Sequence, residues 1–162
     1  MMWNWKSKTP SNPDKIVISD TACLIGLANI GQIKILQEMY GSIIVTPEVI
    51  KEYGTMLPEW IVVKEVPDLK RITVFNKLIG PGESSVISLA LETENSLLII
   101  DDRRARQFAL DLGLDIIGTL GLLIRAYENG IIPDIDSIII KLRDSGFRLP
   151  TNTDVLIKAI KK

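Results

Sequence analysis

Short, wholly apolar stretches alternate along the chain with longer stretches whose apolar residues recur every three or four positions. Residues 16–19 read Ile-Val-Ile-Ser, 43–45 Ile-Ile-Val, 60–63 Trp-Ile-Val-Val, 97–100 Leu-Leu-Ile-Ile and 115–117 Asp-Ile-Ile. Runs this short, rich in β-branched residues and without polar alternation, predict strands buried on both faces. The stretches between them predict helices. One covers 21–28, and another 31–40, where Ile33, Leu36 and Tyr40 fall at helical spacing. A third opens at Thr46-Pro47, a hydroxyl cap with proline in the first turn. Further helices are predicted over 69–78, 82–93, 103–112, 120–128, 137–144 and 153–160. Strands alternating with helices predict an α/β domain, with a parallel sheet covered on both faces and right-handed crossovers.

A chain of 162 residues, 46% hydrophobic and 24% charged, reads as one domain that buries about two-thirds of the surface its unfolded form exposes. The first fifteen residues stand apart as a polar N-terminal arm, with two tryptophans and two prolines and no signal-peptide apolar region. The expected division is an arm over 1–15 and a domain over 16–162. Every apolar stretch is well short of the roughly 18–20 residues of a membrane helix, so no membrane association is expected and the expected compartment is the cytoplasm. Cys23 is the single cysteine, which excludes an internal disulfide, and its apolar setting suits a small core residue. A net charge of −1 excludes nucleic-acid binding by bulk electrostatics, leaving only a local patch. Arg103, Arg104 and Arg106 offer one, and Lys70, Arg71 and Lys77 a lesser one; a solvated helix face is the alternative for both.

Acidic residues sit where the apolar runs end or where the next helices begin. Asp20 follows the first run and Asp101-Asp102 the fourth; Glu52 lies shortly after the second, and Glu83 follows Gly80-Pro81-Gly82. The chain has no histidine, which removes Ser-His-Asp triads, histidine-based ribonucleases and the usual zinc hydrolases. Carboxylates without imidazole or thiolate partners suit a hard, oxygen-loving cation, Mg²⁺ or Mn²⁺. In open α/β sheets ligands bind beyond the carboxyl ends of the strands, where strand order reverses. Asp20 and Asp101 would meet there if the first and fourth strands are neighbours.

Each acid also has a plainer reading. Asp20 can cap the following helix. Glu52 lies near the apolar side of its helix, whereas Glu48 in the first turn is favoured by the dipole alone. Glu83 shares a helical face with Val86, Ile87 and Ala90, where a carboxylate is costly unless paired; otherwise it stays wet in the first turn. Asp101 is the expected ligand and Asp102 the expected cap, with an outer or second-metal role open to Asp102. Thr119 is expected to cap the next helix, with phosphate contact as its other reading.

In this order the residues resemble a PIN domain, and within it the prokaryotic subgroup grouped with VapC-like toxins and long catalogued without an assigned function. The resemblance is carried by Ile16-Val17-Ile18-Ser19-Asp20-Thr21, by Val45-Thr46-Pro47 through Glu52, by Gly82-Glu83 with Ala90, and by Asp101-Asp102-Arg103-Arg104-Ala105-Arg106. Gly118-Thr119-Leu120-Gly121, Ala126 and Gly130 follow the same pattern. It implies a three-layer PIN-like fold with a five-stranded parallel sheet flanked by helices. It implies a Mg²⁺- or Mn²⁺-dependent endoribonuclease, with Asp20, Glu52, Glu83 and Asp101 catalytic and Asp20, Glu83, Asp101 and Asp102 around the metal. Thr21, Arg103 and Arg104 would contact RNA, and a small antitoxin and a second copy of the chain would be partners. Trp3, Trp5 and Trp60, with the segments 120–124 and 138–142, are the apolar surface expected to serve a homodimer. The chain departs from the family pattern twice. Its third acid is glutamate, and Ile99-Ile100-Asp101 stands where Thr-x-Asp is usual, leaving Thr21 as the hydroxyl expected to take that part.

Other classes fit less well. A haloacid-dehalogenase-like phosphatase needs a second aspartate two residues after the nucleophile, where Ala22 stands. A receiver domain needs an acidic pair before its strand-end aspartate and a lysine after a late strand. The remaining alternative is a catalytically degenerate PIN domain that binds RNA or a protein.

Overall fold

The computed structural model describes residues 15–161; the expected arm with Trp3 and Trp5 lies outside them, apart from Lys15. The strands are β1 (Ile16–Ser19), β2 (Ile43–Val45), β3 (Ile61–Val63), β4 (Ser96–Ile99) and β5 (Ile116–Ile117). The helices are α1 (Thr21–Asn29), α2 (Lys34–Tyr40), α3 (Pro47–Tyr53), α4 (Leu69–Phe75), α5 (Pro81–Leu91), α6 (Arg103–Asp111), α7 (Thr119–Glu128), α8 (Ile135–Asp144) and α9 (Thr153–Ile160).

All strand pairs are parallel, in the order β3-β2-β1-β4-β5. The chain winds from β1 to β2 to β3 in one direction and then returns to lay β4 on the other side of β1. The reversal therefore falls between β1 and β4, as expected. Ile16 pairs with Ser96 and Ser19 with Ile99, and the Asp20 N–H donates to the Ile99 carbonyl at 2.9 Å. The two strands thus end at one level, with Asp20 and Asp101 just beyond it. Every residue of β4 is buried, as a central strand covered by helices on both faces requires.

Two helices, α2 and α4, are three residues shorter than their periodicity predicts. Residues 31–33 stay outside α2 because Gly31 turns at φ +70°, a left-handed conformation that glycine adopts without strain. Residues 76–79 leave α4 through tighter turns, with Lys77 N–H on the Val74 carbonyl and Leu78 N–H on that of Phe75. That turn delivers Gly80 and Pro81 to the start of α5.

Of the apolar surface expected to serve a dimer, the segments 120–124 and 138–142 are core instead, while Trp60 is partly buried and Trp3 and Trp5 lie outside the described residues. Leu122, Leu123 and Ile124 are fully buried and Leu120 nearly so; Ile138, Ile139 and Leu142 are buried as well, leaving Ile140 exposed. These residues face inward because α7 packs on both α8 and α9. Among the described residues no helix is long and apolar enough to cross a membrane.

Candidate active site

Asp20 leaves β1 in an extended conformation and caps α1, its Oδ1 accepting the Cys23 N–H at 3.0 Å. Its Oδ2 accepts the Asp101 N–H at 2.9 Å, across the reversal from the end of β4. Cap and site are therefore the same carboxylate, only 3% exposed. Asp101 is held from the other side. Its Oδ1 accepts the Thr119 N–H at 2.8 Å and its Oδ2 the Thr119 hydroxyl at 2.5 Å.

This corrects the expectation for Thr119. Gly118 is the cap residue of α7, without a side-chain bond, and Thr119 is already inside the helix. Its hydroxyl is drawn to the nearer charge, the Asp101 carboxylate. Arg106 departs from expectation too. Its Nη1 donates to the Ile100 carbonyl at 2.9 Å, so it turns in behind Asp101 instead of joining an exposed basic patch. Gly118 permits this packing, since a Cβ there would sit 2.8 Å from that nitrogen and 3.2 Å from Asp101 Oδ1.

The remaining acids form an outer rank. Glu52, at the exposed end of α3, accepts the Thr21 hydroxyl at 2.8 Å and lies against Gly82. A Cβ on Gly82 would come within 2.5 Å of its Oε1, so the bare glycine makes room for this carboxylate. Glu83, half-buried in the first turn of α5, is similarly close to Gly80, where a Cβ would be 2.6 Å from Oε2. Asp102 caps α6 by accepting the Ala105 N–H at 2.9 Å, as expected. The helices carrying Glu52 and Glu83 are joined below by the Thr46 and Ser85 hydroxyls, 2.6 Å apart. Thr46 is also the expected cap of α3, while the partnership with Ser85 was not foreseen.

Burial, and next the charge of Asp101, push the Asp20 carboxyl up to about 8, against the pull of its two N–H donors. Asp101 is also raised, chiefly by burial, although Thr119 and Arg106 oppose this. Burial raises Glu83, with its own N–H opposing and the charges of Glu52 and Asp102 adding. Cys23 is fully buried, and that burial lifts its thiol well above the usual range, so it is core and not nucleophile. Among the described residues no three acidic or thiol side chains stand close enough to enclose a cation as they are. Asp20 and Asp101 form the inner rank; Glu52, Glu83 and Asp102 border it.

Two acids meeting at the reversal between β1 and β4, with further acids from α3 and α5, match the order of motifs along the chain. Residues 16–162 match the PIN domain. The chain belongs to the PIN-domain family. No curated protein and no solved structure matches it. PIN domains are in general nucleases, so a nucleic-acid substrate accompanies the fold.

In this PIN domain Arg103 and Arg104 are exposed at the start of α6, and Arg104 Nη1 reaches toward the Leu78 carbonyl at 3.5 Å. Of the lesser basic patch, Arg71 is occupied by Asp68 and Glu92. Thr119 and Arg106 are the residues that sequence reasoning misassigned. Thr119, whose hydroxyl donates to Asp101, was signalled in the sequence by its position just after the last strand and by the Gly118-Thr119-Leu120-Gly121 pattern.

Proposed function

We propose that this PIN domain is a Mg²⁺- or Mn²⁺-dependent endoribonuclease, acting in the cytoplasm as the toxin of a toxin–antitoxin pair. The observation that carries the reading is the meeting of Asp20 and Asp101 at the strand-order reversal. Both are burdened by burial, and Asp20 also by the charge of Asp101. Buried like charges at one point call for a cation, and an all-oxygen, histidine-free donor set fits a hard one. Asp20, Asp101 and Glu83 would hold it, with Asp102 outside them and Glu52 holding a second ion or acting through water.

Such an ion supplies an activated water and offsets the charge developing on the scissile phosphate. The chain's own part is orientation and proton handling. Thr119 fixes both oxygens of Asp101, and the two N–H donors fix Asp20. With no histidine in the chain, a carboxylate is the available proton acceptor. Thr21, Arg103 and Arg104 approach the RNA backbone, the arginines offsetting repulsion between phosphate and acids, an effect that salt weakens.

Purified protein incubated with RNA should cleave it with Mn²⁺ and not in excess EDTA, leaving 5′-phosphate and 3′-hydroxyl ends. Asp20→Asn and Asp101→Asn should abolish cleavage. A 2′,3′-cyclic phosphate, or undiminished cleavage in EDTA, overturns the mechanism. A homodimer and a small antitoxin belong to the same reading, tested by sedimentation and by co-purification with the product of a neighbouring small reading frame. The second reading is a degenerate PIN domain that only binds RNA or protein. It is favoured by the acids standing in two ranks without three enclosing a point, and is recognised by RNA binding without cleavage in Mn²⁺.

A further inference from the structure

Beside the outer acids lies a cleft of about 410 Å³, between the turn that ends α4, the start of α5 and the start of α6. Its walls include Asn76, Lys77, Gly80, Glu83, Asp102 and Arg104. The size falls among those of small-ligand clefts, roughly 300–1,000 Å³. The character is unusual for such a cleft, because no aromatic side chain among the described residues lines it and base stacking needs a flat π face. Lys77 and Arg104 bring positive charge, while Glu83 and Asp102 bring carboxylates that accept hydrogen bonds. Arg104 is steadied toward the wall by the Leu78 carbonyl, and Asp102 by its cap on α6.

Cations for one group and acceptors for another describe a ribose phosphate, an anion with hydroxyl donors attached. We propose that this cleft is the subsite for a nucleotide flanking the scissile phosphate. Lys77 and Arg104 take that nucleotide's phosphate, and Asn76 with Asp102 binds its ribose 2′-hydroxyl. Recognition here is then of RNA backbone and not of base identity, since the 2′-hydroxyl is what separates RNA from DNA and phosphate contacts carry no sequence information. The inference rests on the nuclease reading and adds to it a source of RNA-over-DNA preference, together with a role for Lys77.

The test uses the full chain and a short RNA oligonucleotide that it binds, with single 2′-deoxy or single abasic substitutions at each position in turn. Binding is measured by fluorescence anisotropy in EDTA at several salt concentrations, and cleavage separately in Mn²⁺. At one position the 2′-deoxy substitution should weaken binding about tenfold, while the abasic one leaves it within about twofold. Lys77→Gln with Arg104→Gln should weaken binding of all RNA sequences alike and lower the salt slope by about 0.7, the value for one phosphate contact on a single strand. Asn76→Ala should erase the ribose–deoxyribose difference at that position. These residues are exposed, and unchanged circular dichroism would show the variants folded. Binding that the double variant leaves unchanged, equal binding of DNA and RNA, or loss on removal of the base each overturn the subsite. If binding behaves as expected and wild-type protein does not cleave, the cleft stands as a site for RNA backbone and the nuclease reading falls.

Discussion

Asp20 is pulled in two directions. Two N–H donors favour its ionised form, while burial and the neighbouring Asp101 oppose it and prevail. Its carboxyl has the ordinary value of 3.8 in the unfolded chain and about 8 in the native protein. Between those pH values the native state holds a proton that the unfolded state has released, so stability falls as pH rises through the window. The fall is at most about 1.4 kcal/mol per pH unit for this proton and ends above the native value. Asp20→Asn removes it. Urea unfolding in EDTA at pH 5, 6.5 and 8 should show a shallower slope in the variant than in wild type, and equal slopes would contradict the assignment. Gly82 tests the outer rank in the same way. Gly82→Ala would set a methyl 2.5 Å from Glu52 Oε1. Because Glu52 is exposed, its side chain can swing away at little cost to folding. Stability should change by less than about 1 kcal/mol, while RNA cleavage falls by roughly 10- to 100-fold, as misplacement of a reacting group by about an ångström does. Full activity in Gly82→Ala would remove Glu52 from the site.

Among the elements, the ends of strands were more legible than the contacts made beyond them. An apolar run that stops at a polar residue marks a strand end by itself, and β1 and β2 lie where their runs lie. Thr46-Pro47 announced α3 because capping is local chemistry. The end of α4 was not legible, since the tight turns through Leu78 continue the same apolar spacing. Asp20 and Asp101 could be paired on paper because a parallel sheet brings strand ends together. Thr119 could not, because its bond to Asp101 spans eighteen residues and depends on where β5 places the start of α7. Arg106 was misread for a related reason: an arginine in a basic run looks solvated until packing turns it inward. Thr119→Val keeps the N–H to Asp101 and deletes the hydroxyl. Hydrogen bonds to charged groups contribute about 1.5–3 kcal/mol, so chemical denaturation should show a loss of about that size. Cleavage should fall with it as Asp101 loosens, and Thr119→Ser should restore both. A valine variant as stable and active as wild type would show that the hydroxyl does not hold Asp101.

For the whole molecule, the winding order has an electrostatic consequence. A chain that runs β1 to β3 outward and returns for β4 must bring two strand ends, and here two carboxylates, together at the carboxyl end of the sheet. The apolar residues of α7 and α8 are buried in the core where α7 packs on α8 and α9, which is why the sequence could mistake them for a partner surface. Folding therefore concentrates negative charge that the unfolded chain keeps apart, and a cation bound by the native state alone should relieve it. Binding of that kind stabilises by about 2.7 kcal/mol when free ion is a hundredfold above its dissociation constant. For a domain of this size that corresponds to a rise in melting temperature of roughly 5–10 °C. Mn²⁺ or Mg²⁺ added to EDTA-treated protein at pH 8 should produce it, Ca²⁺ should serve as a control for charge alone, and Asp101→Asn should remove most of it. Calorimetric scans of wild type and variant with and without metal make the comparison. A rise of equal size in both would assign the ion to another place on the surface, and no rise in either would leave the PIN domain without the metal chemistry proposed for it.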